Sequence, residues 1–187
     1  MFRTVFALLA VVCAAVAVNA TTYAPVTFAE LVTRADMIFV GEVADVRPYA
    51  INTATGTVIR TRVIFRVQDP VFGTSSALEV LEFLGGEVGD IGMVVAGMPR
   101  FSVGDRRVVF ARRERSINPI VGFTQGLLQI HRDGSGLDRV LTLEGLPVAG
   151  AQSFGARVPL LTGAPLAPMR LSDFRNQITS ALGVRAR

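Results

Sequence analysis

The sequence has no lysine and no tryptophan, and it has one cysteine and one histidine. All 19 basic residues are arginines, which excludes a Walker-type phosphate loop because that loop needs a lysine after its last glycine. A zinc centre is disfavoured, because His131 and Cys13 are the only histidine and cysteine in the chain. The sequence therefore predicts no metal site and no cofactor.

The first twenty residues have the pattern of a secretory signal peptide. Arg3 is followed by an apolar run, Val5–Val18, and Val18 and Ala20 occupy the −3 and −1 positions of a cleavage site before Thr21. The run has 14 residues, whereas a membrane-spanning helix needs about 20. We expect the leader to be removed and the mature chain to be exported to the periplasm or the medium, without stable membrane insertion.

Removal of residues 1–20 also removes Cys13. The mature chain, residues 21–187, then cannot form a disulfide and must be stabilised by its core. Its length fits a single domain.

A short helix is predicted to begin at Thr27. Thr27 and Glu30 have the spacing of a capping box, and Val26 is placed to pack on Leu31 as a hydrophobic staple. We expect this helix to end near Ala35 or Asp36.

The C-terminal region is predicted to form an irregular segment followed by a helix. Residues 146–169 are rich in proline, glycine and alanine, which is typical of a surface segment. A helix over about 172–182 is expected, with Ser172 as N-cap and Gly183 ending it. Its apolar face consists of Phe174, Ile178, Ala181 and Leu182.

Between the helices the pattern indicates short antiparallel strands. Residues 37–46 form one strand, in which Gly41 indicates a bulge or bend. Residues 57–69 alternate apolar and polar side chains, so one face is buried, and Asp69-Pro70 is expected to end this strand. Further strands are predicted over 77–84, over 106–115 and in a hairpin that turns at Asp133–Gly136. The fold class is mainly β, an OB-like antiparallel β-barrel with helices only at its ends.

The stretch from Gly85 to Gly97 is the one part of the sequence whose glycines suggest a binding loop. It joins two predicted strands and lacks the G-x-G-x-x-G order between strand and helix, so a dinucleotide site is disfavoured. Glu87 and Asp90 lack the spacing that gathers calcium ligands. We interpret the glycines as turns and bulges at barrel corners. They are Gly85, Gly86, Gly89, Gly92, Gly97 and Gly104.

Several segments together resemble a group of uncharacterised exported bacterial proteins. They are FAELVTRADMIFVGEV, RTRVIFRV, GGEVGDIGMVVAGMPRFSVGDRRVVF and VGFTQGLLQI, within residues 28–130. Phe101 and Gly104, followed by Val108 and Phe110, are also similar to a stretch of netrin-like modules, which include the tissue inhibitors of metalloproteases. This resemblance implies an OB barrel. It does not imply their inhibitory mechanism, because those inhibitors chelate zinc through an N-terminal cysteine and this mature chain would begin at Thr21.

Hydrolysis is the enzymatic activity that the sequence leaves open. A serine triad would need His131, which lies beside the predicted turn at Asp133. AQSFG, residues 151–155, resembles a nucleophile elbow but lacks the strand–turn–helix context that such an elbow requires. A carboxylate pair for glycoside hydrolysis would form only in the folded chain. No catalytic residue is therefore assigned.

The charges are distributed in segments. An acidic stretch, 79–90, is followed by a basic one, 100–115, and the two are expected to neutralise each other in part. Arg60, Arg62 and Arg66 share the outward face of one strand, where they would add to a basic, ligand-binding face. Arginine pairs well with carboxylates, so an acidic protein surface or an anionic polymer fits this row. Nucleic acid is disfavoured, because the row has no aromatic residue to stack on bases.

Two functional hypotheses follow from these observations. The first is an exported, non-catalytic binding module whose ligand is another exported protein. The second, implied by the netrin-like resemblance, is a protease-inhibitor-like or protease-associated role.

The signal-peptide assignment can be tested directly. When the chain is expressed in a bacterial host, we expect the exported protein to begin at Thr21 by intact-mass spectrometry. Replacing Ala20 by Tyr should block processing, because the cleavage site requires a small residue there. A wild-type product that retains Met1 would contradict the assignment.

Overall fold

The computed structural model describes residues 24–114, 116–155 and 167–185. The protein is mainly β, and its described residues form eight strands and two α-helices. The helices are α1 (Phe28–Arg34) and α2 (Leu171–Arg185), and a 3-10 turn covers Ala151–Ser153. The strands are β1 (Met37–Thr53), β2 (Gly56–Phe72), β3 (Leu78–Leu84), β4 (Gly86–Val88), β5 (Ile91–Met93), β6 (Arg106–Ala111), β7 (Leu127–Arg132) and β8 (Asp138–Leu141).

Six strands form one antiparallel sheet in the order β3-β2-β1-β6-β7-β8, and β4 and β5 form a separate hairpin. The antiparallel, mainly β prediction is confirmed. The sheet is open, however, because no pairing within the described residues joins its end strands β3 and β8. The free edge of β8 is occupied by the irregular segment instead, since Val140 N–H donates to Met169 O and Val148 N–H donates to Val140 O.

β1 and β2 form a hairpin in which each strand has 17 residues. The register shifts at Val40–Gly41 and again at Val43–Asp45, which confirms the predicted irregularity at Gly41. A Cβ at Gly41 would lie 3.0 Å from the Phe39 ring, so only a glycine allows this close approach without displacement. Residues Met37–Glu42 of β1 pair with both β2 and β6, whereas the rest of the strand pairs with β2 alone.

The predicted end of β2 at Asp69-Pro70 is wrong, because the strand continues to Phe72. β3 pairs only with the segment Arg60–Arg66 of β2. Pro70 therefore lies where β2 has a neighbour on one side only, the position at which a sheet tolerates a proline.

The remaining predicted strands are found with small changes of length. β3 covers 78–84, and β6 ends at Ala111, before the predicted limit of 115. The hairpin of β7 and β8 turns at Asp133, whose carboxylate accepts hydrogen bonds from Ser135 and from Leu137 N–H. Hydrogen bonds from Ser135, then from Arg139, hold the pKa of Asp133 well below its usual range.

Both helices pack on one face of the sheet and form the helix-side core. The Phe174 ring of α2 lies 5.7 Å from the Phe28 ring of α1 and 6.4 Å from the Phe110 ring of β6, measured between centroids. The predicted apolar face of α2 is confirmed. The buried members of this core include Phe28, Leu31, Ile38, Val40, Val108, Phe110, Phe174 and Ile178.

The opposite face of the sheet carries a second core, which we call the inner core. Its largest side chains are three phenylalanines, and the Phe65 ring lies 5.6 Å from the Phe39 ring. Because the sheet is covered on both faces, neighbouring residues of β1 are buried in alternating directions. The buried members of the inner core include Met37, Phe39, Val43, Val63, Phe65, Leu81, Phe83 and Val109.

The predicted start of α1 is confirmed in detail. Glu30 N–H donates to Thr27 Oγ1 at 3.2 Å, and Thr27 N–H donates to Glu30 Oε2 at 2.9 Å, which together form the capping box. Val26 and Leu31, the two residues of the predicted staple, are buried in the same core.

The predicted limits of α2 need two corrections. The helix begins at Leu171, so Ser172 is its second residue and not its N-cap. It also passes through Gly183 to Arg185, because Gly183 does not have the left-handed backbone conformation that ends a helix. Of the predicted irregular segment, 156–166 lies outside the described residues.

The docking of α2 through its buried ring gives a stability prediction. Replacing Phe174 by Ala should lower the free energy of unfolding by about 3–5 kcal/mol, because the ring leaves a cavity between the helices and the sheet. Urea unfolding followed by circular dichroism measures this change. The control Ser180→Ala, on the exposed face of the same helix, should change it by less than about 0.5 kcal/mol. Equal effects would contradict the docking.

Candidate functional site

The glycine run lines a cleft of about 590 Å³. One wall is the part of the β1–β2 hairpin that follows Glu42, with Val46, Pro48 and Thr61. The other wall consists of β4, β5 and the loop 94–101. Ligand sites in proteins occupy about 300–1,000 Å³. The size of the cleft is therefore that of a binding site.

The floor of the cleft is apolar and belongs to the inner core. The Phe101 ring lies 4.8 Å from the Phe83 ring and 5.8 Å from the Phe65 ring, with an edge-on contact to Phe65. Met93 and Met98 complete the lining around these rings. Phe83 is buried and Phe101 packs against it, so the floor is continuous with the inner core.

The corner between β3 and β4 fixes one end of the cleft. Gly85 N–H donates to Ile59 O at 2.8 Å, and Thr61 Oγ1 donates to Gly85 O at 2.7 Å. Gly86 has a φ of +133°, and a Cβ there would lie 2.4 Å from Thr61 Oγ1. Only glycine can therefore occupy this position, and the corner is held rigidly against β2.

Two similar turns shape the loop that forms the other wall. The turns cover Val95–Met98 and Ser102–Asp105, and in each the N–H of the fourth residue donates to the carbonyl of the first residue. The third residue is Gly97 in one turn and Gly104 in the other, with φ of +77° and +91°. This is the pattern of type II turns. Gly104 N–H also donates to Val43 O at 2.9 Å, which anchors the loop to β1.

Five of the six glycines that the sequence analysis interpreted as turn or bulge residues have a positive φ, and one does not. Positive φ values occur at Gly85, Gly86, Gly89, Gly97 and Gly104. Gly92 instead lies within β5, opposite Glu87, with an ordinary strand conformation.

The rim of the cleft carries two charged side chains and an exposed apolar one. Arg100 and Glu87 both line the cleft, and neither forms an ion pair in the part of the chain that the structure describes. Val94, also a lining residue, is 89% exposed, and the nearby Ile91 is 56% exposed. Apolar side chains left open beside a cleft are typical of an interaction surface.

Arg60, Arg62 and Arg66 lie on the outer face of β2, and none of them lines the cleft. Carboxylates of neighbouring strands stand between them. Arg62 Nη2 lies 3.1 Å from Glu82 Oε1, and Arg66 Nη1 lies 3.8 Å from Glu42 Oε1. Arg60 Nη2 donates to the backbone O of Ser116 at 2.9 Å. The row is thus a mixed surface of both signs of charge.

Glu82 shows the electrostatic effect of this row. Burial acts to raise its pKa, but hydrogen bonds from Tyr49 and Arg62 and the charges of Arg62 and Arg60 outweigh burial, so the pKa is lowered from its ordinary value of 4.5. The Arg62 guanidinium also lies over the Tyr49 ring, 5.3 Å from its centroid.

The acidic stretch 79–90 was expected to neutralise part of the basic segment 100–115. The arginines of this segment pair mainly with other carboxylates. Arg106 forms a two-pronged pair with Asp138, with distances of 2.9 and 2.8 Å, and this contact lowers the pKa of Asp138. Arg107 pairs with Asp105 within its own segment. The acidic stretch 79–90 contributes Glu82, but to arginines of β2.

The residues considered for a serine triad lie on separate elements. His131 is exposed on β7, and Ser153 lies in the 3-10 turn, where its hydroxyl accepts a hydrogen bond from Ala149 N–H at 2.9 Å. No hydrogen bond joins the two among the described residues. The first three residues of AQSFG form a 3-10 turn, and Phe154 after them is extended, so the segment lacks the strand–turn–helix context of a nucleophile elbow.

The described residues hold neither a cluster of metal-binding side chains nor a membrane-spanning helix. No group of three or more His, Cys, Asp or Glu is placed there to hold a metal ion. None of the described helices has the length and apolar character needed to cross a membrane. In comparisons with known proteins, the chain matches no family model, no curated protein and no solved structure.

The cleft itself was missed by the sequence analysis, which treated turn glycines and a binding site as alternatives. One feature of the sequence could have indicated the cleft. MVVAG, residues 93–97, is an apolar run with neither the strand alternation nor the length of a buried helix. Such a run beside turn glycines indicates apolar side chains left at a surface.

The lowered pKa of Glu82 predicts a pH-dependent contribution to stability. Because the folded-state pKa lies below the unfolded value, the contribution is present above pH 4.5 and is lost as the pH falls through the folded-state pKa. Glu82→Gln should therefore lower the free energy of unfolding at pH 7, by less than about 1 kcal/mol for a partly exposed pair. The difference from wild type should shrink in acid, as measured by urea unfolding.

Glu87→Gln is the matched control, because Glu87 has no ion pair within the described residues. We expect it to change the free energy of unfolding little at any pH. An effect of Glu82→Gln that stays constant from neutral to acid pH would contradict the electrostatic explanation.

Proposed function

We propose that the protein is a non-catalytic, exported module that binds an extended segment of a partner protein in the glycine-lined cleft. The observation that carries this proposal is the cleft of about 590 Å³, with the buried Phe83 and the partly buried Phe101 at its floor and a rim that leaves Val94 exposed. A floor of this kind takes apolar side chains from a ligand, and the open rim admits the chain that carries them.

The charges of the cleft favour a polypeptide over a polyanion. The lining holds one arginine and one carboxylate, so the site has no excess of positive charge. Elsewhere Arg62, Arg106 and Arg139 are already paired with carboxylates. Arg100 remains unpaired in the described chain, so a partner carboxylate near an apolar residue would find an unused guanidinium.

The lining also supports binding over hydrolysis. Glu87 is the only carboxylate that lines the cleft, and none of the lining residues is a histidine, cysteine or serine. A two-carboxylate mechanism would need a second acidic group facing the first.

An OB-like arrangement of the sheet is part of the proposal. In its support, Leu84 N–H at the end of β3 donates to Ile117 O at 2.9 Å, across the gap between β3 and the segment that follows β6. This contact brings the sheet partly around the inner core. A protease as the partner, the alternative implied by the netrin-like resemblance, is one outcome of the experiment below.

The experiment selects twelve-residue peptides from a displayed random library on the wild-type protein. A synthetic copy of the strongest sequence is then titrated by fluorescence anisotropy. Ala96→Trp should weaken binding at least tenfold, about 1.4 kcal/mol, because Ala96 lines the cleft at the second position of its turn. Val103→Trp is the matched control, since Val103 has the same position in the turn Ser102–Asp105 but lies outside the cleft lining.

Two results would count against the proposal. One is a selected peptide that binds Ala96→Trp as well as it binds the wild type, and the other is a failure to select any peptide. The selected motif can then be sought in natural exported proteins. If it occurs in a protease, this result would favour the inhibitor-like role.

The arginine row is tested in the same titration. A variant with Arg60, Arg62 and Arg66 replaced by Ser should bind the peptide with unchanged affinity if the cleft is the site, because these side chains lie on the other face of β2. If this variant loses binding while circular dichroism shows that its fold is retained, the binding site would lie on the predicted basic face instead of in the cleft.

A further inference from the structure

The part of β1 that follows its last bulge has one edge without a neighbouring strand. β6 pairs with Met37–Glu42 only, and the turn Ser102–Asp105 bonds to β1 at Val43 and no further along. From Val46 to the end of β1, no backbone hydrogen bond is made on this edge within the part of the chain that the structure describes. Half of the strand thus has β2 on one side and an unused edge on the other.

The pairing with β2 determines which backbone groups lie on that unused edge. Gly85 N–H donates to Ile59 O, so odd-numbered residues of β2 point toward β3 and even-numbered residues point toward β1. Beyond the bulge, the even-numbered residues of β2 pair with odd-numbered residues of β1, as Arg60 does with Tyr49. The residues of β1 whose backbone groups point outward are therefore Val46, Pro48, Ala50 and Asn52.

The outward groups are open to solvent. Pro48, Ala50 and Asn52 are all exposed. The hairpin of β4 and β5 covers the inner face of β1 and β2 and not this edge, because a Cβ at Gly86 would lie 2.4 Å from Thr61 Oγ1 on β2 and 3.2 Å from Pro48 Cβ on β1. The edge therefore stays uncovered while the face beside it forms a wall of the cleft.

The open edge is continuous with the cleft. Val46 and Pro48 carry outward backbone groups, and their side chains also line the cleft. Side chains of a strand alternate between its two faces. Every second side chain of a strand paired with this edge would thus lie level with Val46 or Pro48, at the mouth of the cleft. One extended chain can use both the backbone edge and the apolar lining.

We propose that the partner segment binds as an additional strand on the edge of β1, from Val46 to Asn52, and directs every second side chain into the cleft. This inference rests on the proposed function and adds how the segment is held. In strand addition the main-chain hydrogen bonds supply affinity, and pockets select alternate side chains. The partner is therefore an extended peptide with apolar residues at alternate positions.

Pro48 favours a different chain over a second copy of β1 as this strand. A proline has no N–H, so one bond of the new ladder is missing at Pro48. In a contact between two β1 edges the missing donor would count twice, once for each copy. With a partner segment it counts once, because the N–H of the segment can still donate to Pro48 O.

Methylation of the peptide backbone tests this inference on the wild-type protein. The peptide selected from the library is synthesised as a series in which one N–H at a time is replaced by N–CH₃, and each member is titrated by fluorescence anisotropy. Within the bound stretch we expect affinity to fall about fivefold or more at alternate residues, whose N–H groups face β1, and to change less than about twofold between them. Losses that do not alternate would overturn strand addition.

A pair of proline variants tests the edge of the protein. Ala50→Pro removes an outward N–H of β1, whereas Thr57→Pro removes an N–H on the opposite edge of the same hairpin, and neither N–H is used between β1 and β2. We expect Ala50→Pro to weaken peptide binding about fivefold and Thr57→Pro to leave it unchanged. Equal effects would overturn the assignment to this edge. The methylation series decides the matter even if a proline variant fails to fold.

The proposed function and this inference fail in different ways. If no peptide is selected, both are overturned. If Ala96→Trp blocks a selected peptide but the methylation series shows no alternation, the cleft remains the site and strand addition alone is overturned. Sedimentation velocity supplies the remaining outcome. A wild-type dimer that is lost in Ala50→Pro would make a second copy the occupant of this edge and would also overturn the inference.

Discussion

The rest of the structure depends on the burial of both faces of β1. Ile38 and Val40 lie in the helix-side core, and Met37 and Phe39 lie in the inner core. This is possible only because β2 and β6 pair with both edges of the same segment, which satisfies its backbone groups away from water. The helices pack on one face of this central segment of β1, and the inner core, which continues into the floor of the cleft, packs on the other.

The bulges of β1 connect that central segment to the candidate site. After the register shift at Val43–Asp45 the strand loses β6 as a neighbour and continues with β2 alone. Val46 and Pro48, which still pair with β2, then form a wall of the cleft. Gly104, which donates to Val43 O, anchors the opposite wall at the same bend. A local irregularity of one strand thus creates the space in which a ligand can bind.

The glycines are both structural and functional in this arrangement. Gly85 and Gly86 form a corner that no other residue could form, and that corner lines the cleft together with Gly97. Several arginines nearby are paired with carboxylates, whereas Arg100 at the rim has no ion pair among the residues that the structure describes. The proposed partner segment would therefore meet an apolar floor held by backbone geometry, with the Arg100 guanidinium beside it.

The sequence by itself determined the local elements: the capping box at Thr27, the alternation of β2, the irregularity at Gly41 and the turn at Asp133. Each depends on residues a few positions apart, whose spacing fixes their contacts. The tertiary structure alone decided that β8 is covered by the irregular segment and that β2 continues through Pro70. It also brought Phe101 onto Phe83 and left the arginine row among carboxylates. These features depend on which strands become neighbours, and neighbours distant in the chain are chosen by the packing of the whole sheet.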